Sequence, residues 1–170
     1  VPEPSFDELL ASSTKTALKL EFRDQYMTDD PAYLAWRAGN VDQAIREYAG
    51  WTETASSATA RGVEIKRIRV VSEPMSDYIA FEHAVTAAVN VAGGEMVRWV
   101  PRSRVSAIAL PGNDAWIFDE ATVQFCLFAG DGRFVGNEVS AGPETVELCL
   151  LAFAAAWELG IDHELYSITL

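Results

Sequence analysis

Residues 63 to 100 constrain the fold more than any other stretch, because strand, helix and strand follow one another there and a crossover of that length joins parallel neighbours. Val63 to Val71 is rich in β-branched residues, with Ile68 and Val70 on one face of a regular strand and Arg67 and Arg69 on the other. Pro74 is expected to open a helix reaching about Val91, with Tyr78, Phe81, Val85 and Val89 along its apolar side. Gly93-Gly94 ends it, and Met96 to Val100 reads as the second strand.

The flanks are read in the same way. Ser5 and Glu8 have the spacing of a capping box, so a short helix begins at Phe6. Leu18, Leu20 and Phe22 alternate with Lys19, Glu21 and Arg23, the pattern of a half-buried strand near a sheet edge. Asp30-Pro31 starts a brief helix stopped by Gly39, and Val41, Ile45, Tyr48 and Trp51 predict a longer one up to Gly62. Residues 101 to 113 form a loop. Trp116 to Phe118, Val123 to Phe128 and Phe134 to Val139 predict an antiparallel meander, turned at Asp119-Glu120 and Gly130-Asp131-Gly132. Gly142-Pro143 opens a last helix with the stripe Val146, Leu150, Phe153 and Trp157, and the tail 161–170 is open between strand and loop. The expectation is an α/β fold with a mixed sheet, an N-terminal portion over 1–62 and an α/β portion over 63–160, in a single domain.

Composition excludes several classes. A chain of 170 residues with 49% hydrophobic and 22% charged residues has enough apolar side chains for a core without staples. Net charge of −12 opposes a phosphate backbone, although Arg61, Lys66, Arg67, Arg69, Arg98, Arg102 and Arg104 cluster in the middle of the chain. That basic middle either binds an anion or neutralises its own neighbours. Cys126 and Cys149 lack metal-ligand spacing and read as small buried hydrophobes. No apolar run approaches the roughly 20 residues of a bilayer span, and no basic, apolar leader opens the chain, so a cytoplasmic location is expected.

The densest group of ionisable residues beside an apolar strand is Arg69, Ser72, Glu73, Asp77 and Tyr78, followed by Glu82. The C-terminal end of a parallel strand is where α/β folds collect ligands. With Arg98 on the adjacent strand, these residues are candidates for an anion clamp or an acid–base pair. The alternative is that Glu73 and Asp77 serve the helix start while the arginines pair with Glu82 or Asp119. His83 and His163 stand eighty positions apart without a nucleophile nearby, His83 reading as a half-exposed helix residue. Asp114 and Asp119 are an unspecific carboxylate pair, and the aromatic residues read as core. No catalytic group, metal or cofactor is expected from these patterns.

Several motifs together resemble an actinobacterial family of unknown function. They are Phe6-Asp7-Glu8-Leu9-Leu10, Leu20-Glu21-x-Arg23-Asp24-x-Tyr26, Arg69-Val70-Val71-Ser72-Glu73-Pro74-x-Ser76-Asp77-Tyr78, Phe81-Glu82, Gly94-Glu95-x-Val97-Arg98-Trp99, Leu110-Pro111-x-x-Asp114-x-Trp116-x-Phe118-Asp119 and Gly132-Arg133-Phe134-x-Gly136-x-Glu138. The resemblance spans nearly the whole chain, apart from the hydrophobic tail after His163. It implies a gene beside a helix-turn-helix regulator and hence a regulatory, protein-binding role. Residues 63–159 also resemble half of a phospholipase D-like domain. If Asp119 occupies the signature aspartate position, the histidine and lysine positions fall on Gly112 and Asp114, which implies a fold without its catalytic pair.

Two functions remain open. One is a non-catalytic binding or regulatory domain that takes a helix-turn-helix regulator or a small anionic ligand near Arg69, Ser72, Glu73, Asp77, Tyr78 and Arg98. The other is a small enzyme with Glu73 or Asp77 as general base and an arginine as anion stabiliser. Direct nucleic-acid contact through Arg61, Lys66, Arg67, Arg102 and Arg104 is a third possibility, disfavoured by the net charge, and it predicts binding that weakens steeply with salt.

Overall fold

A computed structural model of the protein describes residues 3–168. The chain runs α1 (Phe6–Ser12), β1 (Thr16–Glu21), α2 (Pro31–Arg37), α3 (Val41–Glu47), α4 (Ala49–Ala60), β2 (Glu64–Val71) and α5 (Asp77–Thr86). After a π-helical turn, Ala87–Val91, come β3 (Met96–Pro101), β4 (Asp114–Phe118), β5 (Thr122–Phe128), β6 (Phe134–Ser140), α6 (Pro143–Leu159) and β7 (Ile161–Asp162). The strands form one mixed sheet in the order β6-β5-β4-β1-β2-β3-β7. β1, β2 and β3 are parallel, and the remaining pairs are antiparallel. The crossover from β2 through α5 to β3 and the β4-β5-β6 meander are both as the sequence predicts.

Helix starts follow local chemistry. Ser5 Oγ accepts the Glu8 amide while the Glu8 carboxylate accepts that of Ser5 at 2.8 Å, closing the expected capping box. Asp30 caps α2 by accepting the Ala32 amide at 2.7 Å. The cap of α5 is Ser76, whose hydroxyl accepts the Ile79 amide, so that helix starts three residues later than a start at Pro74 implies. The single long helix expected over 41–62 is instead two, broken at Tyr48, whose hydroxyl is drawn to Asp30 at 2.6 Å.

α6 covers one face of the sheet. Leu18, Leu20, Ile68, Val70, Ala115 and Ile117 meet Val146, Cys149, Phe153 and Ala156 there. Each fully buried aliphatic side chain in this layer contributes roughly 1.5–3 kcal/mol. The helix ends against the sheet at Gly160, where a Cβ would stand 2.8 Å from Ile68 Cδ1 and 2.9 Å from Arg98 Cβ. On the opposite face, α1 and α4 pack on Ala17, Ile65, Trp116 and Phe118, and α5 packs with α2 and α3 through Tyr78, Phe81, Tyr33 and Ala44.

β1 departs from expectation in an informative way. It lies at the centre of the sheet, between β4 and β2, and not near an edge. Lys19 keeps only 6% of its surface and Arg67 and Arg69 only 7% and 6%, because both faces of β1 and β2 are covered by helices. The strand alternates in polarity, but its polar side is an interior face.

The end of β4 fastens the start of β1. Asp119 and Glu120 adopt positive φ of 50° and 58° in the tight turn to β5. The Asp119 carboxylate then accepts the amides of Thr14, Lys15 and Thr16 at 2.9, 2.8 and 2.9 Å. The tail also takes form, as β7 pairs with β3 and Tyr166 packs beside Trp99. Residues 169 and 170 of that tail lie outside the described residues.

Candidate functional site

The polar face of the sheet is built by register. Arg67, Lys19, Trp116 and Gln124 are successive partners across β2, β1, β4 and β5, so the pleat turns all four side chains to the same side. Trp99, Arg69 and Glu21 form the next row across β3, β2 and β1. Helices α4 and α5 lie over these rows and contribute Trp51 and Glu82, and the turn before β3 contributes Glu95.

Ion pairs organise the centre. Arg67 donates from Nη1 to Glu21 at 2.6 Å and from Nε to Glu95 at 2.8 Å. Arg69 donates from Nε to Glu21 at 2.8 Å and from Nη1 to the Thr86 hydroxyl at 2.6 Å. Glu95 also accepts the indole N–H of Trp51 and the Asn90 amide at 2.7 Å. The Arg67 guanidinium lies between the rings of Trp51 and Trp116, at 5.7 and 5.2 Å, while Arg69 lies 5.0 Å from the Trp99 ring centre.

Glu82 is the exception to this mutual satisfaction. Its Oε2 stands 3.8 Å from Arg69 Nε, beyond hydrogen-bond reach, and is buried without any hydrogen-bond partner among the described residues. Beside it is a cavity of about 220 Å³ lined by Glu21, Arg67, Arg69 and Glu82 together with Tyr48, Trp51, Val85, Val89 and Asn90. The four charged side chains keep between 7% and 13% of their surface, so the cavity communicates with solvent.

The two glutamates titrate in opposite directions. Burial would raise the Glu21 carboxyl, but Arg67, Arg69 and Lys19 overcome it and bring the pKa down to about 2. Burial pushes Glu82 up to about 7, with Arg69 opposing and the charge of Glu21 adding to the rise. Formal charges agree with this division. Lys19, Arg67 and Arg69 supply three positive charges against four carboxylates, Glu21, Glu82, Glu95 and Asp114. Asp114 accepts the Tyr26 hydroxyl and the Phe22 amide and is itself raised by burial against the pull of Lys19, so one proton held among the raised carboxyls makes the cluster neutral.

The six residues singled out by sequence occupy several distinct places. Arg69 belongs to the charged rows and lines the cavity, and it meets Glu82, the pairing the second sequence reading anticipates. Ser72 joins a polar knot at the end of β2, donating to Asp24 at 2.6 Å and accepting from Arg102 Nε at 3.0 Å. Glu73 is exposed and accepts the Tyr166 hydroxyl at 2.7 Å. Asp77 is exposed in the first turn of α5. Tyr78 is buried among Tyr26, Tyr33 and Phe81. Arg98 is the partner of Ile68 in the β2–β3 ladder, and therefore emerges on the α6 face, against Trp157 and Asp162. Arg69 and Arg98 thus stand on opposite sides of the sheet and do not form one clamp.

Other placements follow from the same pleat. Lys66 and Arg67 alternate to opposite faces, Arg61 donates to the Leu10 carbonyl, and Arg102 is held in the Asp24 knot, so the five basic residues form no common face. His83 is half-buried, and its ring centre is 4.7 Å from that of His163. His163 Nδ1 accepts the Trp99 indole N–H at 3.1 Å. Among the described residues no group of three His, Cys, Asp or Glu is arranged to hold a metal ion, and no helix is long and apolar enough to cross a membrane. Sequence reasoning missed Glu21, Glu95, Trp51 and the special position of Glu82. The available sign was the pairing of Lys19 and Glu21 with Arg67 and Arg69 on two strands of equal alternation.

Comparison with known proteins gives a chain-wide family match and distant structural likenesses. The model of a family described as a domain of unknown function, DUF6879, matches residues 4–168. No curated protein matches the sequence. Among solved structures, that of a phospholipase D family member, Nuc from Salmonella typhimurium, aligns with 14% identity over 92% of this chain and 86% of that one, at a TM-score of 0.49.

Proposed function

The chain belongs to the DUF6879 family, and from that premise we propose that it is a non-catalytic binding domain whose small polar ligand enters the cavity beside Glu82 and Arg69. The observation that carries this reading is the Glu82 Oε2, buried on the wall of a 220 Å³ cavity with no hydrogen-bond partner. A buried acceptor in that state carries a desolvation cost of about 1–3 kcal/mol that an incoming donor removes. The ligand's complementary group is an N–H donor or a small cation. Arg67 and Arg69 already serve Glu21, Glu82 and Glu95, and an anion would have to displace those partners.

The test is a thermal-shift and calorimetric comparison of wild type and Glu82→Gln with acetamidine and benzamidine, using phosphate and acetate as anionic controls. The amidines are expected to raise the wild-type Tm and leave that of Glu82→Gln unchanged. Binding near neutral pH should release protons from Glu82, read as a heat that depends on the buffer. Equal shifts in both proteins, or a response to phosphate alone, overturns the reading.

An actinobacterial origin and a helix-turn-helix regulator as protein partner belong to the same proposal and rest on the motif resemblance, and a cytoplasmic location is proposed beside them, supported by the lack among the described residues of a helix long and apolar enough to cross a membrane. Mass identification of what co-purifies from the native host tests the partner. A phospholipase D-like half-domain with Gly112 and Asp114 in place of the signature pair fits binding and not phosphodiester cleavage. The second reading is proton transfer by Glu82, favoured by its rise to about 7, where an acid–base group works best at neutral pH. In that case Glu82, and not Glu73 or Asp77, is the base.

A further inference from the structure

A second hollow adjoins the first across Arg67 and Trp51, and it carries an unmet demand of the opposite kind. It measures about 340 Å³ and is walled by Phe6, Trp116 and Phe134 above the strands that present Lys19, Gln124 and Asn137. Gln124 keeps 1% of its surface, yet its Nε2 is buried with no acceptor among the described residues. Lys19, at 6%, has its Nζ 3.1 Å from Cys126 Sγ and 5.4 Å from the Trp116 ring centre, with no carboxylate oxygen within salt-bridge distance among the described residues. The two donors flank Trp116 in register, Lys19 on β1 and Gln124 on β5.

A thiol and a ring face are weak partners for an amine, and an amide N–H without an acceptor is a cost the fold has no reason to retain for packing alone. Both are relieved by one acceptor atom placed above Trp116. Aromatic walls on several sides select a flat ring, and Phe134, 42% exposed, leaves one wall that a ring would cover. Charge decides the remaining property. The neighbouring cluster is neutral once one of its raised carboxyls holds a proton, and Glu21, which lines this hollow too, is ionised, so a carboxylate or phosphate would add an unbalanced negative charge.

We propose that this hollow is a binding site for a small, neutral, planar heteroaromatic ligand whose ring carbonyl accepts hydrogen bonds from Gln124 Nε2 and Lys19 Nζ. It is separate from the site at Glu82 and does not depend on it.

The experiment titrates uracil, thymine and 2-pyridone into the full chain by ligand-observed NMR and calorimetry, with benzoate as the anionic and indole as the carbonyl-free control. Wild type and Glu82→Gln are expected to bind at least one carbonyl ring with equal affinity. Gln124→Leu, which removes the stranded N–H at similar volume, is expected to bind it at least tenfold more weakly while melting at the same or a higher temperature. Should Gln124→Leu fail to fold, Gln124→Met serves with the same expectation. The proposal is overturned if no carbonyl ring binds, if benzoate or indole binds as well as the carbonyl rings, if the Gln124 variants bind as wild type does, or if Glu82→Gln alone abolishes binding.

Discussion

Glu82 and Glu21 show how one environment gives two carboxylates opposite pH behaviour. Glu82 has its folded pKa raised from 4.5 to about 7, so its proton stabilises the fold fully below about 4.5 and that contribution is lost as pH rises through 7. Glu82→Gln copies the protonated form. It is expected to stabilise the protein by about 2 kcal/mol at pH 8 and to be neutral at pH 4, as measured by urea unfolding at the two pH values. Glu21 has its pKa lowered to about 2, so its contribution is present above 4.5 and lost as pH falls towards 2. Glu21→Gln removes the carboxylate that Arg67 and Arg69 share, leaving Arg67 with Glu95 and Arg69 with the Thr86 hydroxyl and a more distant Glu82. It should cost about 3–5 kcal/mol at pH 7, and a variant that unfolds at the wild-type urea midpoint would contradict the ion-pair account.

Two elements depend on contacts made far along the chain. The turn between β4 and β5 holds β1 through the three amides that bind Asp119. Burial works against that carboxylate's ionisation, but the amides and the Thr14 hydroxyl hold its pKa below the usual range. Asp119→Ala is expected to lower stability by about 2 kcal/mol, with Asp119→Asn recovering less than half, since an amide offers one acceptor oxygen where the carboxylate offers two. The C-terminal segment is held on α5 and β3 through His83 to the Tyr166 carbonyl, Trp99 to His163 and Tyr166 to Glu73. Burial, His83 and Arg69 lower His163 to about 4. Its contribution is therefore present above 6.5 and lost as pH falls through 4. The protection factor of the Tyr166 amide, which donates to the Asp162 carbonyl, should fall below about pH 5, and a protection factor independent of pH would refute the histidine clamp.

Across the whole molecule these titrations oppose one another. His163 gains stability for the fold as pH rises over about 4 to 6.5, while Glu82 loses it over about 4.5 to 7. Wild-type stability should be nearly flat across this range, and Glu82→Gln should uncover a rise in Tm with pH that the native chain conceals. A Glu82→Gln profile parallel to that of wild type would show that the two groups do not balance.

What could be read from the chain alone follows the reach of each force. Local periodicity and capping specify the Phe6, Pro31 and Pro143 helices, the meander turned at Asp119-Glu120 and Gly130-Asp131-Gly132, and the crossover from Val63 to Val100, because each depends on residues a few positions apart. The same alternation of Leu18-Lys19-Leu20-Glu21 fits a solvent-facing strand and a covered one equally well. Only the packing of α4 and α5 made its polar side an interior. Register had the same status: whether Arg98 joined Arg69 or turned away depended on its pairing with Ile68, which no residue of β3 specifies by itself. The Glu82 cavity and the Gln124 hollow are likewise tertiary facts. Burial and the distance between charges set the demands of those polar atoms, and both quantities exist only once the helices have closed over the sheet.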